Sequence, residues 1–155
     1  MIRLTLALTL LAAPAFADTA AWVDQIAAND AATHITGAIN ACTTAVTDPG
    51  SVATGLTTLG WQHFDETEGT TGLKSANTYL MFWNEPGFCM LQTSDFNTET
   101  LTAHLATLGI KPSGKDADGC VKFTINGIPA AISSGGNDPA CTSTTEAVLR
   151  FEPLP

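Results

Sequence analysis

The residues best suited to chemistry in this 155-residue sequence are three histidines, His34, His63 and His104, whose ordinary pKa lies in the physiological range. His63 has the richest setting, because Asp65, Glu66 and Glu68 follow within five positions. Those carboxylates could orient an imidazole or join it around a divalent cation. If 61–64 is a strand, His63 and Asp65 project to the same face. The enzymatic expectation is therefore a hydrolase or metal-dependent enzyme using His63 with Asp65 or Glu66. Against it, metal ligands normally come at tighter spacing, and a solvated acidic loop beside a surface histidine accounts for the same residues. His34 and His104 sit among polar residues on expected helices and read as boundary histidines.

The other chemical signatures are weaker. Asp116-Ala117-Asp118-Gly119 resembles the start of a calcium loop, but the bidentate glutamate such a loop needs further on is missing, so a turn is expected. There is no nucleophile elbow, phosphate-binding lysine loop, paired-histidine zinc helix or dinucleotide fingerprint. No cofactor is implied, and the sequence reads as a binding protein more readily than as an enzyme. None of the four cysteines has the electropositive setting of a reactive thiol.

The N-terminus explains the cysteines. Arg3 precedes an uncharged apolar block from Leu4 to about Leu11, and Ala15-Phe16-Ala17 follows. This order marks a secretory signal peptide over residues 1–17, too short to span a bilayer. The remainder, 18–155, is expected to be one exported domain, periplasmic or secreted and not membrane-embedded. An even cysteine count in an exported chain implies disulfides. Of the three possible pairings, Cys42 with Cys89 and Cys120 with Cys141 suits the expected elements best. The net charge is −9, one unit more negative once Arg3 is removed, and the other five cations look scattered along the chain. Nucleic acid and anionic lipid are therefore poor partners.

The elements that must position these residues are legible in part. Trp22, Val23 and Ile26 suggest a short helix. Ile35, Ile39, Cys42 and Val46 form an apolar stripe at helical spacing behind a cap at Asn29 or Asp30. Ser51 is expected to cap a helix ending at Gly60, and Asn97 one ending at Gly109. Strands are expected near 61–64, 78–83, 88–93, 120–125, 128–132 and 147–151, with 65–72 a polar loop. Asn126-Gly127 is a strong hairpin signal. GLTTLGW (55–61) and HLATLGI (104–110) are alike. Together these elements suggest an α+β fold, N-terminal helices with a mostly antiparallel sheet of five to six strands and a mid-chain helix; the repeated stretch is either a tandem αβββ duplication or the common look of an amphipathic helix with a glycine stop.

The densest apolar run outside the N-terminus is YLMFWNEPGFCML, 79–91, turning at Asn84 to Gly87. Alternation puts Tyr79, Met81 and Trp83 on one face. With Cys89 directed to the helices, Phe88 and Met90 face away from them, and that side is covered by Trp22, by the other half of the chain or by a partner, burial within the chain being the usual outcome in monomers. The leading expectation is a small exported binding or accessory protein. It would contact an envelope or secreted protein, or a small apolar ligand, through Tyr79, Met81, Trp83 and Glu85.

Overall fold

A computed structural model describes residues 19–64, 67–135 and 140–152. The expected signal peptide lies outside them. The order is α1 (Thr19–Ile26), α2 (Ala31–Ala45), α3 (Pro49–Thr58), β1 (Gln62–His63), β2 (Thr70–Ser75), β3 (Thr78–Trp83), β4 (Cys89–Thr93), α4 (Thr98–Thr107), β5 (Pro112–Lys115), β6 (Val121–Ile125), β7 (Ile128–Ser133) and β8 (Ala147–Phe151). The strands form one antiparallel sheet in the order β1-β2-β3-β4-β8-β7-β6-β5. The fold is α+β, with eight described strands where five or six are expected. The additional strands are β2, TTGLKS, and β5, PSGK. Neither alternates clearly, and β5 is exposed throughout at a sheet edge, where Pro, Gly and Lys are the usual residues.

Helix starts follow local hydrogen-bonding chemistry. The Asp30 side chain accepts from the Thr33 amide at the head of α2. At α3 the cap is Asp48, accepting from the Ser51 amide, so the helix begins at Pro49 rather than after Ser51. Proline is favoured there because its missing N–H would have had no helical partner. Asn97 caps α4 in the same way, with a reciprocal bond from its own amide to Thr100.

α3 and α4 match position by position, 49 residues apart. Each is ten residues long. In each, the glycine amide bonds to Thr57 or Ala106 and the next amide to Leu56 or Leu105, all at 3.0 Å. These are Schellman stops, with Gly60 and Gly109 at φ 83° and 77°. Each helix leads into four strands, αββββ rather than αβββ. The halves meet at β4 and β8, where Leu91 pairs with Leu149 at the middle of the five-residue register.

Cross-strand register aligns the core into rows. Leu73, Leu80, Leu91, Leu149 and Ile132 are successive partners across five strands and all are buried. Phe82, Cys89, Phe151, Ala130 and Phe123 form the next row. The helices cover this face. Disulfides join Cys42 of α2 to Cys89 of β4 and Cys120 to Cys141, with Cα separations of 5.4 and 4.7 Å. Trp22 lies on the same side. A Cβ on Gly55 would come within 2.6 Å of its ring, so Trp22 packs on α3 and is not the cover for Phe88 and Met90.

Candidate functional site

The pleat that sends Leu80 and Phe82 to the helices sends Tyr79, Met81 and Trp83 the other way. Register then extends this second face. Gly72, Met81, Met90, Arg150, Ala131 and Lys122 are successive cross-strand partners, and Lys74, Tyr79 and Gln92 form a neighbouring row. Among the described residues, no helix packs here. On the β7–β8 side the face is nevertheless closed. Val148, Ala131 and Ser133 are buried, and Arg150 Nη2 donates to the Gly135 carbonyl at 2.6 Å.

On the β2–β3 side the face is partly open. Trp83 is 42% exposed and Phe64 47%. The rings of Trp83 and Phe88 are 5.5 Å apart. Phe64 meets Tyr79 edge-on at 5.5 Å, and Lys74 Nζ stands 4.2 Å from the Phe64 ring centroid. A Cβ on Gly72 would overlap the Phe64 carbonyl and come within 2.8 Å of the Tyr79 hydroxyl. Glycine thus lets the chain after β1 lie close against the sheet. Beside this wall is a cavity of about 420 Å³, whose lining includes Phe64, Lys74, Tyr79, Gln92 and Glu146. Gln92 Nε2 donates to Glu146 Oε2 at 2.9 Å.

Comparison with known proteins gives no family assignment. No protein-family model matches the chain, nor does any curated protein or solved structure. Function must be argued from this face itself.

Tyr79 and Met81 are half-buried, whereas Trp83 and Glu85 are exposed. Glu85 lies in the turn after β3, away from the cavity lining. The cations that look scattered in sequence stay spread over the sheet, on β2, β8, β6 and β5. The eight strands carry Lys74, Lys115, Lys122 and Arg150 and no acid. Three of them, Lys74, Lys122 and Arg150, alternate onto the face away from the helices. Sequence reasoning missed Phe64, Lys74, Gln92 and Glu146, because β2 was not recognised and cross-strand register was unknown.

The histidines do not converge. His63 is exposed on β1, and Asp65 and Glu66 lie outside the described residues. Among the described residues no group of three His, Cys, Asp or Glu side chains is placed to hold a metal ion. His34 bonds through Nδ1 to the Ile26 carbonyl at 2.7 Å and through Nε2 to Thr78 Oγ1 at 3.2 Å, and it stacks on Trp61. A carbonyl only accepts, so the ring donates from Nδ1. His104 Nε2 lies 2.9 Å from Thr36 Oγ1, whose hydrogen is directed to the Ala32 carbonyl. The Nε2 proton of His104 therefore points at Thr36. Burial lowers the His104 pKa below its ordinary 6.5, consistent with a neutral ring at this helix contact. Asp116 turns inward on its own loop, accepting from the amides of Asp118 and Cys120.

Proposed function

We propose that the chain is an exported, periplasmic or secreted, binding protein that recognises its partner or a small apolar ligand through the open aromatic face of its sheet. The observation that carries this reading is the placement of Tyr79, Met81 and the exposed Trp83 on the face away from the described helices, beside Phe88 and the buried Met90, with Tyr79 also lining a cavity of about 420 Å³. Soluble proteins seldom leave contiguous apolar surface open without an interaction to use it, and a cavity of this size lies in the range of small-molecule sites. Export is supported by the leader sequence and by two disulfides, which persist in oxidising compartments. No described helix is long and apolar enough to cross a membrane. The matching halves further support descent from one duplicated αββββ unit.

The test uses the chain from Asp18 and a neutral apolar fluorophore, N-phenyl-1-naphthylamine. Trp83→Ala is expected to abolish binding while leaving stability within about 0.5 kcal/mol, as exposed substitutions do. A loss of about 3–5 kcal/mol, typical of a truncated core tryptophan, or unchanged binding, would overturn the reading.

A further inference from the structure

The cavity on the open face has two unlike ends. Register places Lys74, Tyr79 and Gln92 side by side on β2, β3 and β4, so the outer two are two strand spacings apart, about 9.5 Å. At one end the Lys74 ammonium lies over Phe64. At the other, Glu146 accepts from Gln92. A carboxylate is an acceptor only, so this bond fixes the amide with Nε2 towards Glu146 and leaves Gln92 Oε1 as a further acceptor. Tyr79 lies between Lys74 and Gln92 in the register, with its ring leaning over β2 beside Phe64 and Gly72.

We propose that this cavity binds a short dipolar ligand, with a carboxylate at Lys74 and an ammonium at Glu146 and Gln92, of the length an extended tripeptide presents. The proposal rests on reading the open face as a binding surface and specifies the chemistry of its occupant. Three residues of extended chain span about 10 Å, close to the backbone separation of Lys74 and Gln92 on either side of Tyr79. A monoanionic amphiphile would satisfy Lys74 and leave Glu146 without a counter-charge. A polyanion would meet the repulsion of a chain of net charge −9, which a zwitterion escapes. The aromatic groups, Tyr79 and Phe64, suit an apolar middle side chain.

The probe is alanyl-phenylalanyl-alanine, measured by calorimetry on the chain from Asp18 beside its N-acetylated and C-amidated forms. The free tripeptide is expected to bind, and blocking either end to weaken binding about tenfold or more, the scale of one charge-assisted hydrogen bond. Lys74→Met should erase the preference for a free carboxylate alone. Glu146→Gln, which keeps an acceptor for Gln92, should erase the preference for a free amine alone. Circular dichroism confirms that both variants fold. Absence of binding, equal binding of blocked and free forms, or preferences that survive these substitutions would overturn the proposal. Retained N-phenyl-1-naphthylamine binding that is lost in Trp83→Ala would then show that the dipolar assignment fails while the open face stands. Its loss as well would overturn both.

Discussion

Gly72 shows how one side chain's absence shapes the face. The Phe64 carbonyl and Tyr79 hydroxyl occupy the space a methyl group would need, and the carbonyl is backbone that cannot rotate aside. Gly72→Ala should therefore cost about 1–3 kcal/mol in denaturant unfolding and push Phe64 away from Tyr79, so ligand binding should fall with stability. His104 gives a prediction of a different kind. Its folded pKa lies below 6.5, so just below that pH the unfolded chain binds the proton and the fold does not. Stability should thus decline as pH falls from about 6.5 towards the folded value. His104→Asn should flatten that decline in unfolding measured between about pH 5 and 7. Neither residue's role was legible in sequence. Gly72 looked like part of a polar loop, and the partner of His104, Thr36, is 68 positions away.

The helix stops were the most legible elements because their chemistry is local. Leu-Gly followed by an apolar residue specifies a Schellman ending, and both copies form one. A Cβ at Gly60 or Gly109 would meet nothing within 4 Å. Alanine at either should therefore cost only the left-handed conformational penalty, about 1–2 kcal/mol, and by similar amounts at the two sites. The double variant should show the sum in equilibrium unfolding, since distant sites add. The Asn126-Gly127 hairpin was equally readable, with both residues at positive φ, 52° and 84°. Strands β2 and β5 were not. β5 is an edge strand, whose pairing is dictated by its neighbour's exposed backbone, and PSGK carries no periodicity to detect; β2, TTGLKS, is interior but lacks a clear apolar alternation.

For the whole molecule, the class of fold and the helical side of the sheet could be read from apolar stripes and cysteine placement. The composition of the open face could not, since it depends on which residues register places beside Tyr79. Cys42–Cys89 encloses a separation of 47 residues and Cys120–Cys141 one of 21. Loop-entropy scaling then makes the first link the more stabilising by about 0.7 kcal/mol. Paired Cys→Ala variants compared in denaturant melts should preserve that order, and the opposite order would show that strain or residual unfolded structure dominates. The link from α2 to β4 also has a directional effect, for it ties the helical layer to the centre of the sheet. Both disulfides close within their own half of the chain, and neither crosses the β4–β8 pair. If the backbone were cut between Ser94 and Asn97, no covalent bond among the described residues would join the two pieces. The Leu91–Leu149 pairing and the Thr36–His104 contact would then act between separate molecules, and their contribution to folding would become measurable as a dissociation constant.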